Sequence, residues 1–311
     1  MMRIMMKNVF SRIDLSSFVT GTTEHTWQPT LSAETNIPSY WLNWRFFVCA
    51  IFILTSLFLS SFLIWRYEGP TKRKADDQGE PTGVLYDDET WNTCVTSIHP
   101  NWLLGFRVFG FIVLLGLISG NAIADGASIF IFYTQLTFTL VTIYFGVGAL
   151  VSIYRFKTGE NCQNGVSTVD EELGSYRPPV DGAVLLTDGV FWFIIYPFLT
   201  SKDFSLDFFI VVMHSVNAVF LLGETFLNSL RFPLFRISYF VVWTGVFVLF
   251  QWIVHACVSF WWPYPFLDLS SPYAPLWYAV VGLMHLPCYG IFSLIVKLKY
   301  LWLSKCFSEE P

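Results

Sequence analysis

Charged residues are scarce in this chain: Asp, Glu, Lys and Arg fill 13% of its 311 positions, against about 25% in a soluble globular domain. So little charge cannot coat the surface of an ordinary soluble domain of this length, and that class is excluded. The net charge of −5 is small, and the basic residues gather into no face that would bind nucleic acid. Cysteine is sparse as well. Six residues stand at 49, 94, 162, 257, 288 and 306, with no Cys-x-x-Cys and no short-loop pairing. Neither a disulfide framework nor a zinc knuckle is indicated. Cys49, Cys257 and Cys288 fall in apolar runs and read as packing residues. Cys306 reads as a free cytosolic thiol or a palmitoylation position. There is no Asn-x-Ser/Thr sequon and no internal repeat, so a transporter built from inverted repeats gains no support. Residues 1–40 contain no apolar run of the kind a cleavable leader needs.

What fills the chain instead is apolar surface. Hydrophobic residues make up 54%, including 32 Phe, 13 Trp and 14 Tyr. A membrane span needs about 20 mostly apolar residues at about 1.5 Å each. Seven stretches qualify: residues 46–65, 103–119, 129–154, 183–200, 206–227, 235–261 and 276–296. The expected fold is an all-α integral membrane protein, a bundle of seven transmembrane helices. It divides into an N-terminal tail (1–45), a first helix (46–65), a cytosolic loop (66–101), a six-helix core (102–298) and a cytosolic C-terminal tail (299–311). The second span is short and carries Arg107, which is expected to snorkel to the interface. Residues 69–89 and 157–182 mix charge with Gly and Pro and read as flexible cytosolic loops.

Basic residues set the orientation. Arg45 precedes the first span, while Arg66, Lys72, Arg73 and Lys74 follow it, which puts the loop after it in the cytosol. Alternation then gives cytosolic positions to Arg155, Lys157 and Arg177, to Arg231 and Arg236, and to Lys297, Lys299 and Lys305; the opposite connections hold only Lys202. Arg3, Lys7 and Arg12 in the N-terminal tail are the discordant feature. The expected location is the endoplasmic reticulum or the plasma membrane.

Polar side chains inside hydrocarbon are costly and mark function by default, the ordinary alternative being hydrogen bonds that hold a bundle together. His214, Asn217, Glu224 and Asn228 recur along the fifth span at steps of 3, 7 and 4 and form one stripe facing the bundle interior. The third span offers Thr134, Thr137, Thr139 and Thr142. Such threonines usually bond back to a carbonyl one turn earlier. By helical rise, Thr134 lies about 8 Å, His255 about 9 Å, His214 about 12 Å and His285 about 14 Å from the lumenal ends of their helices. A hydroxyl at that depth beside an imidazole satisfies the minimum for a nucleophile and its base. No carboxylate is obviously placed to orient the imidazole, although Asp268 lies in the following lumenal loop. Asp188 is expected nearer the cytosolic side, in a helix cap or contact. The three histidines also suit a metal such as zinc, but no His-x-x-x-His spacing supports one, and neither metal nor cofactor is expected. Asn217, one turn from His214, is a possible oxyanion donor.

These residues resemble the androgen-induced gene 1 / ADTRP family of integral-membrane threonine lipid hydrolases, in its plant and rolling-stone-like branch. The resemblance covers residues 103–296. The family's Thr precedes a Gly by twelve residues, as Thr134 precedes Gly146. Its His follows a Met and precedes a Glu by ten, as in Met213, His214 and Glu224. Its Asp nine residues before a Pro recurs as Asp188 and Pro197, and its Tyr-Pro-Phe-Leu-acid run as Tyr264 to Asp268. The first span is additional to the family's six-helix core, and His255 is single where the family has a pair. Thr137, in a Leu-Thr-Phe context, also resembles the family's Thr.

The resemblance implies hydrolysis of fatty acid esters of hydroxy fatty acids, with Thr134 as nucleophile and His214 as base. Asn217, His255, His285, Thr137 and Asp268 are the supporting residues. Membrane lipids are the implied substrate or environment. The alternatives are a multi-pass scaffold or fusion factor of the rolling-stone kind, and a small-molecule carrier.

The odd number of spans has a direct consequence. Tags at the two termini should lie on opposite sides of sealed microsomes, the C-terminal one open to protease from the cytosolic side. Finding both tags on one side would remove a span.

Overall fold

A computed structural model describes residues 33–68, 93–94, 99–159, 180–199, 206–229, 232–259 and 261–306. Most of the two polar loops, the first 32 residues, Cys162, Lys202 and Arg231 lie outside the described residues. Seven helices are long and apolar enough to cross a membrane: Trp44–Glu68, Pro100–Asp125, Tyr133–Tyr154, Val180–Phe198, Phe208–Leu227, Leu234–Cys257 and Ala274–Cys306. The chain is thus an all-α seven-helix bundle, and among the described residues there is no strand beyond an isolated bridge between Thr93 and Asn228. In hydrocarbon no water is available to backbone amides, so each crossing segment satisfies its own ladder as a helix.

Local chemistry sets the ends. Pro100 opens the second span, where its missing N–H costs nothing, and His99 Nδ1 accepts from the Asn101 N–H at 3.2 Å. Gly126, at φ 82°, closes it in a conformation that a side chain would strain. The second span therefore runs well past the predicted 103–119, and Arg107 lies inside it. Arg107 does not snorkel: it is 3% exposed, and its guanidinium meets Glu224 Oε1 at 2.6 and 2.9 Å. It also donates to Ser152 Oγ at 2.8 Å and to the Gly148 carbonyl at 3.3 Å. An opposite charge on the fifth span is a nearer partner than the interface.

The fourth span is the axis of the bundle, packed against the third, fifth, sixth and seventh. Nearly every residue from Val180 to Asp188 is buried. Gly182 permits this closeness, since a Cβ there would lie 2.6 Å from the Phe240 ring. From Phe191 to Leu199 the helix widens into a π-helix that contains Pro197. The fifth span is not one helix. It runs Phe208–Met213, breaks at His214 and Ser215, and resumes as Val216–Leu227. The polar stripe therefore spans two helical pieces. Asn217, Glu224 and Asn228 are at most 2% exposed and face protein, as the pattern predicts.

The first span packs on the sixth and seventh, with Leu57 over Gly245 and Phe52 over Gly282. Its far end is tied by Glu68, which accepts from Arg236 Nε at 3.2 Å and from the Tyr239 hydroxyl. At the near end the Tyr40 hydroxyl donates to Asp268 at 2.8 Å. Asp268 is thus a clamp on the segment preceding the first span. Burial, and then the Asp268 charge, push the Tyr40 hydroxyl above its ordinary pKa and keep it a donor. The seventh helix continues past residue 296. Lys299, placed in the cytosolic tail by sequence, is 2% exposed and donates to the Thr225 carbonyl at 2.8 Å and to that of Asn228. It caps the C-terminal end of the fifth span, where carbonyls lack helical partners.

The buried ion pair makes a testable statement about stability. Arg107→Met or Glu224→Leu alone strands a charged group in the dry interior and should cost about 3–5 kcal/mol, the usual range for a broken buried pair. The double variant Arg107→Met/Glu224→Leu should regain most of the lost unfolding temperature in detergent. Additive losses would show that the two side chains act separately.

Candidate functional site

Three successive contacts from the fourth span fix His214. Asp188, Phe191 and Trp192 lie at helical spacing on one face. His214 Nδ1 is 3.7 Å from Asp188 Oδ1, and both side chains are 11% exposed. The imidazole stacks on Phe191, with centroids 3.7 Å apart and planes within 4°. The His214 carbonyl, freed by the helix break, accepts from Trp192 Nε1 at 2.7 Å. Asp188 is therefore the carboxylate behind the imidazole, a role the sequence reading assigned to no residue. The break at His214 and the π-helix beginning at Phe191 meet at this point, and such helix irregularities often accompany functional sites.

This corner is left with its hydrogen bonds unmade. Both Asp188 oxygens, His214 Nδ1 and Asn217 Nδ2 are buried, and none of them closes a hydrogen bond of ordinary length. The Asn217 amide faces the Asp188 carboxylate, and Asn217 Oδ1 accepts from the Ala218 N–H at 3.0 Å. Asn217 is fully buried and does not line the space in front of the imidazole. An unpaired buried polar group costs about 1–3 kcal/mol. Four such atoms at one place form a site that a small closure would tighten.

In front of His214 lies a cavity of about 420 Å³, within the rough 300–1,000 Å³ range of small-molecule pockets. Its walls are mainly apolar; its polar points include Thr134, His214, Thr244 and Tyr264, and the carboxylates Asp125 and Asp207 also line it. Most of the lining residues come from the half of the bundle that holds the connections between the second and third, fourth and fifth, and sixth and seventh spans, and Leu186, Thr187 and Thr244 carry the lining to the middle of the fourth and sixth spans.

The predicted residues separate clearly against this frame. Thr134 lines the cavity at 5% exposure. Its Oγ1 makes no bond to His214 and lies 3.5 Å from Tyr264 Oη, which also accepts the Tyr133 N–H at 3.1 Å. Burial pushes the Tyr264 hydroxyl up from its ordinary pKa, so it stays protonated. Thr137 is fully buried away from the cavity and receives Trp243 Nε1 at 3.3 Å. Thr139 and Thr142 bond back to the Gln135 and Phe138 carbonyls at 2.8 and 2.9 Å.

The other two histidines of the spans are separate from His214. His255 stacks on Trp262 and approaches the Gln251 and Trp261 carbonyls at 2.7 and 3.3 Å. It holds the corner where the sixth span ends and does not line the cavity. His285 Nε2 is 2.9 Å from Thr244 Oγ1. Among the described residues, no three His, Cys, Asp or Glu side chains are gathered as a metal site. Sequence reasoning missed Asp188 as the partner of His214, and Tyr264, Tyr133 and Thr244 as cavity residues. Tyr264 and Asp188 stood inside recognisable runs, whereas Thr244 had no signal beyond its residue type.

Comparison with known proteins finds no matching family model, no similar curated protein and no similar solved structure.

Accessibility separates the two threonines. With Cys94, Cys162, Cys257 and Cys306 replaced by Ser, Thr134→Cys should react with a small uncharged thiol reagent and Thr137→Cys should stay unlabelled. Equal labelling would place Thr137 on the cavity too.

Proposed function

We propose that this protein is an intramembrane lipid-ester hydrolase with Thr134 as nucleophile and His214 as base. The observation that carries the reading is that Thr134 and His214 line one apolar cavity inside the bundle, with Asp188 behind the imidazole at 3.7 Å. With Nδ1 turned to Asp188, Nε2 is the nitrogen left for the cavity. Thr134 Oγ1 attacks the ester carbonyl, His214 takes its proton and returns it to the leaving alcohol, and water completes the cycle through the same base. Thr134 Oγ1 lies 3.5 Å from Tyr264 and makes no bond to His214, and catalytic hydrogen bonds of this kind often tighten only around the substrate. Tyr264, a permanent O–H donor beside Thr134, takes the oxyanion role first considered for Asn217.

The resemblance to membrane threonine lipid hydrolases supplies the substrate class, fatty acid esters of hydroxy fatty acids. The loop charges supply an orientation with the C-terminus in the cytosol and the cavity in the lumenal half, in the endoplasmic reticulum or plasma membrane. A carrier needs a polar path through the bundle, whereas this cavity is mainly apolar and reaches no deeper than Leu186, Thr187 and Thr244 near the middle of the fourth and sixth spans. A scaffold needs no cavity with converging hydroxyl and imidazole groups.

Thr134→Ala and His214→Ala should each lower turnover of a branched fatty acid ester by roughly a hundredfold or more, and their losses should not add. Thr134→Ser should keep part of the activity, Asp188→Asn should lose most of it, and Thr137→Ala should be near normal. Purified wild type that turns over no lipid ester and takes no activity-based hydrolase probe would leave the scaffold as the better reading.

A further inference from the structure

A second hydroxyl–imidazole pair stands on the same cavity, and it is already hydrogen-bonded. Thr244 of the sixth span lines the cavity, and its Oγ1 lies 2.9 Å from His285 Nε2 of the seventh. The tautomer follows from the other side of the ring. His285 Nδ1 is 3.0 Å from the Val281 carbonyl and 3.1 Å from that of Gly282. A carbonyl only accepts, so Nδ1 carries the proton and Nε2 offers a lone pair. The Thr244 hydroxyl has two acceptors: Nε2 is the nearer, and the Phe240 carbonyl one turn back is at 3.2 Å. With the Thr244 proton directed to Nε2, the contact of 2.9 Å between Tyr133 Oη and Thr244 Oγ1 has Tyr133 as its donor. Tyr133 also lines the cavity. His285 is 4% exposed and packs on the Phe240 ring at 4.1 Å, which leaves Thr244 as its opening to the cavity.

We propose that Thr244 is an acyl acceptor in this cavity, with His285 as its base and Tyr133 as the donor to the developing oxyanion. The proposal rests on the reading that the cavity takes a lipid ester, and it adds a second nucleophile to that site. Thr244 Oγ1 forms a bond to the carbonyl carbon while its proton passes to His285 Nε2. The bond from that carbon to the alcohol oxygen then breaks, and the departing alcohol takes the proton from Nε2. Water adds to the acyl-threonine, giving one proton to Nε2. Thr244 leaves with that proton, so one ester and one water become one acid and one alcohol. Thr134 has no imidazole within hydrogen-bond reach; Thr244 needs no rearrangement to be activated.

The test uses the purified full chain and an alkyl fluorophosphonate, with the adduct located by peptide mass spectrometry. The expected adduct is on Thr244, in wild type and in Thr134→Ala. It should vanish in Thr244→Val and in His285→Gln and persist in Thr244→Ser, which keeps the hydroxyl and reports on folding. Residual hydrolysis of a p-nitrophenyl acyl ester by Thr134→Ala should fall at least tenfold further in Thr134→Ala/Thr244→Val. An adduct on Thr134 alone in wild type, with none in Thr134→Ala, overturns the proposal and leaves the hydrolase reading intact. An adduct on Thr244 with Thr134→Ala fully active supports the proposal and removes Thr134 as nucleophile. No adduct on either threonine of wild type with a monodisperse elution profile overturns it.

Discussion

A single buried ion pair, Arg107 with Glu224, is the constraint on which the arrangement of this bundle depends. Two full charges placed in hydrocarbon are tolerable only when they meet. Their meeting fixes the second span against the fifth, while Ser152 and the Gly148 carbonyl bring in the third. Lys299 then ties the same end of the fifth span to the seventh through the Thr225 and Asn228 carbonyls. The piece Val216–Leu227 is thus held from two sides by charged groups. Its continuation, Phe208–Met213, is short and separated by the break at His214. The site residue stands where the anchored part of the span stops.

The fourth span does the corresponding work from the centre. Its buried α-helical start fills the bundle axis, and its π-helical end carries Phe191 under the imidazole. Helix packing inside a membrane gains little from the hydrophobic effect and relies on close fit and polar contacts. That makes the distribution of satisfied and unsatisfied groups informative. His255, away from the cavity, has partners at both ring nitrogens. Asp188, His214 and Asn217 sit together with their facing atoms unpaired. The first pattern belongs to a settled interior, and the second to a place where a ligand or a small closure completes the network.

Several features were legible from residue order alone. Seven apolar runs marked seven spans, and the steps between Asn217, Glu224 and Asn228 marked a face turned inward. Back-bonding accounted in advance for Thr139 and Thr142. The failures share a cause. Arg107 was read with its own helix and sent to the interface, because its partner lies 117 positions away. Asp188 is expected in a helix cap or contact, but residue order does not name His214 as that contact. Asp268 holds Tyr40, 228 positions away, a contact that no local stretch of residues announces.

Composition and periodicity by themselves determined the class of this protein. Scarce charge and long apolar runs leave the chain no stable form in water, and hydrocarbon then admits helices that satisfy their own backbones. Which polar side chains meet was decided only in the tertiary structure. A helix presents every polar residue on its surface to some neighbour, but the identity of that neighbour depends on how seven axes pack and on where a span breaks. Asp188 reaches His214 because the fifth span breaks beside the π-turn of the fourth, and Thr244 reaches His285 because the sixth and seventh spans pack against each other. Neither distance is written in any local stretch of residues.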